Sequence, residues 1–176
     1  MLDLSLPEQD GFAVMARVHP EIPSLRVLAL SAYCDDYTLF RVEKSGFQGF
    51  VDKGTNSLAA IEAALAALAG GKTYYSQTFR AARLARLSNP VSFEKILSDA
   101  QQTVLGYVAH GLSDDEIAQR MGIAPLTART HRRDLFRKLH VHGTPKLITW
   151  ALEHGFARVP APRRQHGSFD GQPTQK

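Results

Sequence analysis

The spacing of apolar residues predicts alternating strands and helices in the first half of the chain. Residues 27–30 form a continuous apolar run, which is typical of a strand that is covered on both faces. Residues 49–52 form a second short run, and helical patterns lie at 35–45 and 57–69, where apolar residues recur at steps of three and four. This alternation predicts βα units around a parallel sheet.

From Ser98 onward the apolar pattern predicts four helices. The first two would begin at Ser98 and Ser113, because each serine is followed three residues later by Gln or Glu in the capping-box arrangement. Pro125 suits the first turn of the third helix, and Thr144 precedes a proline that suits the start of the fourth. Residues 159–176 are rich in proline, glycine, glutamine and arginine, so we expect a disordered tail.

Charge is divided unevenly between the two halves, although the net charge is only +4. Residues 1–75 contain six Lys or Arg and nine Asp or Glu, whereas the remainder of the chain is basic. This division predicts two modules, the second of which faces a polyanion. In the stretch between them, Arg80, Arg83 and Arg86 recur at every third residue, as in a solvated helix face or a contact to DNA phosphate.

Several classes of protein are disfavoured by the sequence. It has no run of about 18 apolar residues, so we expect no membrane span, and its first residues lack the pattern of a secretory signal. Cys34 is the only cysteine, which excludes an intramolecular disulfide and is typical of a cytoplasmic protein. No histidine lies near Cys34 in sequence, so a thiol enzyme is not supported and we expect no enzyme activity.

The third predicted helix has the composition of a DNA-reading helix. Residues 127–139 contain five basic residues and one acid. Arg129, Arg133 and Arg137 are spaced by four, so they share the solvent-facing side, opposite an apolar stripe. A short helix, a tight turn at Gly122 and this basic helix predict a helix-turn-helix, whose second helix lies in the major groove. There the guanidinium groups can pair with guanine edges or bind phosphates.

Four short motifs identify the second half more closely. They are Ala109-His110-Gly111-Leu112-Ser113, Glu116-Ile117-Ala118, Thr127-Ala128-Arg129-Thr130-His131 and Arg137-Lys138-Leu139. With these motifs, residues 97–156 resemble the helix-turn-helix domain of the LuxR-type (NarL/FixJ) regulators. Two positions depart from that family: His140 stands where it usually has a glycine in a left-handed turn, and Gln101 stands where it usually has Glu.

This resemblance implies roles for the residues of the last two helices. The residues that would face bases are Arg129, Thr130 and Arg133, and Arg132 would belong to the same DNA-binding set. The residues that would contact the DNA backbone are Thr127, Arg137 and Lys138. The fourth helix would form the dimer contact, through Leu147, Trp150 and Ala151.

Three polar residues in the first half, Asp3, Ser31 and Lys53, stand directly after apolar strands, and Asp3 is followed by a proline and a glycine. This order resembles CheY-like receivers, and residues 70–76 resemble the end of a NarL-type receiver. The resemblance implies that Asp3 is the phospho-acceptor and a ligand of Mg²⁺. It implies that Ser31 and Lys53 hold the phosphoryl oxygens and that Phe50 is the aromatic switch residue.

The resemblance covers only part of a receiver. A receiver has five strands, and here the first two βα units and most of the third strand would be missing. The acidic pair that in this family binds Mg²⁺ beside the acceptor aspartate would be missing with them, so the metal site at Asp3 would be incomplete. Three explanations stay open: a misassigned start, a fragment of a normal receiver, or a half-receiver that persists as a dimerisation or inhibitory appendage.

Together these observations predict an α/β remnant, a partial doubly wound receiver, followed by an all-α four-helix helix-turn-helix domain. The expected organisation is a partial receiver at 1–75, a linker at 76–96, a DNA-binding domain at 97–158 and the tail at 159–176. The predicted function is sequence-specific transcriptional regulation in the cytoplasm, as a homodimer on double-stranded DNA. In the intact form, a sensor histidine kinase would be the partner, and Mg²⁺ would be needed for phosphorylation. The alternative is a phosphorylation-independent regulator, or an interaction module whose half-receiver serves dimerisation or inhibition of a full-length partner.

Overall fold

Four parallel strands form one sheet in the first half of the computed structural model, which describes residues 1–6, 10–54 and 57–157. In their order across the sheet, the strands are β1 (Leu2–Asp3), β2 (Leu28–Ser31), β3 (Gly49–Asp52) and β4 (Tyr74–Tyr75). The helices that connect them are α1 (Gly11–Glu21), α2 (Asp36–Lys44) and α3 (Leu58–Ala69). The helices that follow are α4 (Gln77–Ser88), α5 (Phe93–Ile96), α6 (Asp99–Ala109), α7 (Asp114–Met121), α8 (Pro125–Lys138) and α9 (Thr144–Glu153). The predicted tail lies outside the described residues.

The sheet confirms the predicted parallel βα architecture and extends it. Strands β2 and β3 pair in parallel from Leu28 opposite Gly49 to Ser31 opposite Asp52. The apolar pattern predicts neither α1 nor β4. Each β4 tyrosine pairs with a residue of β3, so this two-residue strand depends on its neighbour rather than on a pattern of its own.

Helices cover both faces of the sheet. On one face, Phe12 of α1, Leu39 of α2 and Phe79 of α4 join the buried cluster around Phe50. On the other face, α3 packs against Leu28 and Val51 through Ala64 and Leu68. Because Phe50 and Val51 are neighbours in β3, their opposite directions show the alternation expected of a strand that is buried on both sides.

Helix α1 approaches the end of β1 closely because its first residue is glycine. A Cβ atom at Gly11 would overlap the backbone of Asp3 and Leu4. The carboxylate of Asp10 caps the helix by accepting a hydrogen bond from the Phe12 amide at 3.0 Å. The start of α1 is thereby held near Asp3.

The stretch 76–96, which the sequence predicts to be a linker, contains the two helices α4 and α5. Helix α4 packs on the sheet, with the ring of Phe79 centred 5.3 Å from that of Phe50. The three arginines of the predicted stripe also differ from one another. Arg80 is exposed, Arg83 pairs with Glu43, and the Arg86 side chain is only 1% exposed. A step of three residues turns about 300° around a helix, so the stripe drifts from the outer to the inner side of α4.

Helices α6 to α9 enclose a second core. The residues in it that have no solvent-exposed area are Val104, Leu105, Val108, Ile117, Ala128, Leu135, Leu147 and Ala151. Both predicted capping boxes are confirmed, at Ser98 with Gln101 and at Ser113 with Glu116. None of the helices in the described ranges is long and apolar enough to span a membrane.

Two left-handed residues set the turns around α8. Gly122, with φ 65°, ends α7, and His140, with φ 53°, follows α8. His140 is the only non-glycine residue with positive φ within the described residues, and it stands where the LuxR-type resemblance places a glycine. The chain therefore keeps the left-handed turn despite the less suitable side chain.

Aromatic side chains join the two halves. Tyr37 of α2 stacks on Phe156, which follows α9, with ring centroids 3.9 Å apart. Phe40 of α2 meets Phe93 of α5 edge to face, and the Tyr37 amide donates a hydrogen bond to the His154 carbonyl at 3.2 Å. The helical half is thus docked on α2 through the end of α9, and not through α8.

Candidate nucleic-acid interface

Helices α7 and α8 form a helix-turn-helix in which one side of α8 is buried against the other helices and the opposite side is exposed to solvent. Ser113 caps α7, the left-handed Gly122 ends it, and Pro125 opens α8 within the next few residues. Ala128 and Leu135 are fully buried against the other helices, which fixes the rotation of α8. The opposite side of the helix is left facing solvent.

Three arginines spaced by four line this exposed side, as predicted. Arg129 and Arg137 are exposed and lie near acids, at 3.5 Å from Asp114 and 3.1 Å from Asp134 respectively. Arg133 is exposed between them and has no ion pair with the described residues. Surface ion pairs of this kind contribute little stability, so Arg129 and Arg137 can exchange their acidic neighbours for a stronger anionic partner. Among the described residues, Arg133 has no such pair to exchange.

Arg132 and Lys138, predicted to belong to the DNA-binding set, are instead held within the protein. Arg132 is 14% exposed; its Nε lies 2.7 Å from Asp114 Oδ1 and its Nη2 donates to the Leu112 carbonyl at 2.9 Å. Lys138 Nζ donates to the Ile96 carbonyl at 2.6 Å and to Gln101 Oε1 at 2.8 Å. Both side chains flank the buried stripe of α8 and therefore reach polar groups of neighbouring elements, while their contact with DNA stays a prediction.

Two of the three residues predicted to form the dimer contact on α9 are unavailable for it. Leu147 and Ala151 are fully buried in the core of the helical half, so neither can touch a second copy. Trp150 is half-buried and stacks on His154, with ring centroids 3.7 Å apart. The α9 residues that face solvent are Pro145, Lys146, Thr149 and Glu153.

The side chains of Asp3 and Lys53 meet at the carboxyl ends of β1 and β3, and Ser31 ends the strand β2 that lies between them. Lys53 Nζ lies 2.5 Å from Asp3 Oδ2, and the Ser5 amide donates to Asp3 Oδ1 at 2.9 Å. Burial raises the pKa of Asp3, but the Lys53 and Ser5 hydrogen bonds and the Lys53 charge together outweigh it, so the pKa is lowered. Ser31 is fully buried, and its Oγ accepts a hydrogen bond from the Tyr33 amide at 3.0 Å.

The described residues at these strand ends do not fit a Mg²⁺ ion. Among residues 1–6, 10–54 and 57–157, no group of three Asp, Glu, His or Cys side chains is placed to hold a metal. Both carboxylate oxygens of Asp3 already accept hydrogen bonds. Mg²⁺ is held by several oxygen ligands, so we derive no step through it for these residues.

Phe50 and Cys34, which the sequence also singles out, differ in burial: Phe50 is fully buried, whereas Cys34 is half-buried. Phe50, the implied switch residue, is fully buried against Phe79 of α4. The Cys34 thiol has its pKa raised to about 12 by burial and by the nearby Asp52 and Asp35. A thiol with such a pKa stays protonated at neutral pH.

Comparison with known proteins identifies the family. Residues 95–151 match the family described as bacterial regulatory proteins, luxR family. The virulence regulator BvgA of Bordetella pertussis is 32% identical over 158 residues, which span 89% of this chain and 76% of BvgA. The chain belongs to the luxR family of bacterial regulatory proteins. Two further luxR-type relatives are the transcriptional regulatory protein MctR of Rhizobium johnstonii, 31% identical over 88% of this chain and 71% of MctR, and the fimbriae Z protein of Salmonella typhimurium, 30% identical over 88% and 73%.

The fold of this luxR-family chain is similar to solved structures of the response regulator RcsB. The two-component response regulator RcsB–DNA complex matches with a TM-score of 0.51 and 25% identity, over 86% of this chain and 72% of that one. RcsB from Salmonella enterica serovar Typhimurium bound to promoter rprA matches with a TM-score of 0.50 and 24% identity, over 86% and 73%. The predicted partial receiver followed by a helix-turn-helix is therefore confirmed as the fold class.

The luxR-type helix α8 also presents a residue that the sequence reasoning missed. Leu126 is 71% exposed in the first turn of α8. Its distance in sequence from the buried Ala128 and Leu135 could have shown that it lies on the outer side, since two residues turn about 200° around a helix. Charge and hydrogen-bonding capacity are the usual signals of a DNA-binding surface, and a leucine has neither.

Proposed function

We propose that this chain is a transcriptional regulator that binds duplex DNA through the exposed side of α8. The observation that supports this most directly is the rotation of α8, which buries Ala128 and Leu135 and turns Arg129, Arg133 and Arg137 outward. Its relatives BvgA and MctR are described as transcription regulators, and RcsB is described in complex with DNA. The major groove of B-DNA admits an α-helix, so α8 can enter it with its buried side still packed.

The exposed arginines have different roles in this proposal. Arg133 lies in the middle of the helix and has no acidic competitor among the described residues, so it suits bidentate pairing with the O6 and N7 atoms of guanine. Arg129 and Arg137 lie nearer the ends and exchange their acidic neighbours for phosphate oxygens. Thr127, exposed in the first turn, suits a hydroxyl contact to phosphate. The affinity is therefore expected to fall steeply with salt concentration.

Arg133→Ala is expected to weaken specific DNA binding by about 1–3 kcal/mol, because it removes a base contact. The measurement is the dissociation constant by fluorescence anisotropy, on a duplex that the wild-type chain has selected from a random-sequence pool. Arg80→Ala, which removes an exposed arginine from α4, is the matched control and should leave the constant nearly unchanged. Equal losses in both variants, or no loss in Arg133→Ala, would remove the base-reading role from Arg133.

We also propose that the chain binds as a homodimer. A two-fold dimer places two α8 helices in successive major grooves, so the selected DNA should contain two related half-sites about 10 base pairs apart. The buried positions of Leu147 and Ala151 move the expected contact to the solvent-facing side of α9 or to another surface. Binding to DNA agrees with the cytoplasmic location proposed for this chain.

For the α/β half, we propose that Asp3 occupies the acceptor position of a receiver, for which a sensor histidine kinase would be the phosphodonor. Within this chain, however, both Asp3 oxygens are engaged and the described residues do not fit a metal. We therefore expect no phosphoryl adduct when the 176-residue chain is incubated with Mg²⁺ and acetyl phosphate and its intact mass is recorded. An adduct on the wild type that is absent from Asp3→Asn would contradict this expectation.

A further inference from the structure

Viewed along the helix axis, the Leu126 side chain lies at the centre of the exposed side of α8. With about 100° of rotation per residue, Leu126, Thr130, Arg133 and Arg137 fall within an arc of roughly 60°. The buried stripe of Ala128 and Leu135 lies on the opposite side of the helix. The side chain is therefore directed toward whatever the exposed arginines bind.

Exposure alone does not assign a role to a leucine. Leu84 on α4 is 70% exposed, nearly as much as Leu126 at 71%, and single exposed apolar residues are ordinary on protein surfaces. What separates Leu126 is its position in the first turn of the second helix of a helix-turn-helix. The N-terminal residues of that helix contact base edges in the major groove.

Thr130 adds a second apolar group beside Leu126, one helical turn further on. Its Oγ1 donates a hydrogen bond to the Leu126 carbonyl at 2.9 Å. The hydroxyl proton is therefore used within the helix, and the methyl group is the part of this side chain best suited to a base edge. The apolar pair formed by Leu126 and the Thr130 methyl has no donor to offer a purine or a phosphate.

We propose that Leu126, supported by the Thr130 methyl, is a specificity-determining residue that reads the C5-methyl group of thymine in the major groove. Thymine is the only one of the four bases that presents a methyl there, and apolar side chains are its usual partners. Leu126 and Arg133 lie seven residues apart, or about 10 Å along the axis, so they read different base pairs of the same half-site. This inference rests on the proposed DNA binding and adds a base preference to it.

The test replaces the thymines of the selected half-site by deoxyuracil, one position at a time. Each replacement removes only the C5-methyl group of that base. At one of these positions, the full chain should bind the uracil duplex about fourfold more weakly than the thymine duplex. This is the effect expected from the burial of one methyl-sized group. Leu126→Ala should bind the thymine and uracil duplexes with equal affinity at that position. Leu84→Ala is the matched control and should keep the full difference, since it removes an equally exposed leucine from α4.

Three outcomes would overturn the inference. Specific binding by the wild type with no uracil effect at any position would remove the methyl contact and leave the proposed function intact. A uracil effect that is unchanged in Leu126→Ala would assign the methyl contact to another residue. Absence of sequence-specific binding by the wild type would overturn the proposed function, and the inference with it.

Discussion

Replacing Arg86 by methionine is expected to lower the free energy of unfolding by about 3–5 kcal/mol. The Arg86 side chain is only 1% exposed and pairs with Glu43 of α2 and with Glu94 of α5, the latter at 3.3 Å. Its Nη1 also donates to the Asp36 carbonyl at 3.4 Å. Methionine keeps much of the volume of the side chain, but it leaves the largely buried Glu94 carboxylate without its cation and, among the described residues, leaves Glu43 with only the exposed Arg83 as its partner. An unpaired buried charge is strongly destabilising.

The measurement is a urea titration of the full chain, with Arg80→Met on the same helix as the control. Arg80 is exposed, so its replacement should change the free energy of unfolding by less than about 0.5 kcal/mol. Adding Glu43→Gln and Glu94→Gln to Arg86→Met should restore part of the loss, because the stranded charges are then removed. A loss below about 1 kcal/mol for Arg86→Met would contradict the buried ion cluster.

Leu135→Ala is expected to lower the free energy of unfolding by about 2–5 kcal/mol, the cost of a cavity in a packed core. Leu135 is fully buried on the inner side of α8 and belongs to the cluster that joins α6, α7 and α9. Unfolding followed by tryptophan fluorescence would report the change, since Trp150 is the only tryptophan and packs against the same cluster.

Leu126→Ala supplies the matched control, since it makes the same chemical change on the same helix. Leu126 faces solvent, so its replacement should leave stability within about 0.5 kcal/mol of the wild type. The two variants should therefore separate: Leu135→Ala loses stability, and Leu126→Ala keeps stability but loses the thymine preference. Equal stability of the two variants would contradict the rotation of α8 on which the DNA interface depends.

The contact between the two halves leaves this interface open. Tyr37 and Phe40 of α2 pack on Phe93 of α5 and on Phe156, which follows α9. Leu126 and Arg133 stay exposed in the same arrangement. The contact between the two halves therefore does not cover these two residues of α8.

The sequence predicts those features of the site that depend on helical periodicity. The exposed positions of Arg129, Arg133 and Arg137 follow from their four-residue spacing opposite an apolar stripe. The internal roles of Arg132 and Lys138 could not be found in this way, because their partners are distant in sequence. Arg132 pairs with a residue 18 positions earlier, and Lys138 donates to a carbonyl 42 positions earlier.

The same limit explains the other differences from the predicted fold. The apolar face of α9 shows that Leu147 and Ala151 are covered, but not that α6 of the same chain covers them. The sequence of α4 indicates only a basic connector, because the contact of Phe79 with Phe50 of the sheet is a tertiary contact. Strand β4 has only two residues, and its pairing with β3 is a tertiary contact that no local pattern records.

The most direct test of DNA binding through α8 is an NMR titration of the ¹⁵N-labelled full chain with its selected duplex. We expect the largest amide shift changes along the exposed side of α8, at Leu126, Thr130, Arg133 and Arg137, with smaller changes at the start of α7. The amides of α1 and α3 in the α/β half should change little. Shift changes centred on another surface, or none at concentrations well above the dissociation constant, would contradict the assignment of α8 as the DNA-reading helix.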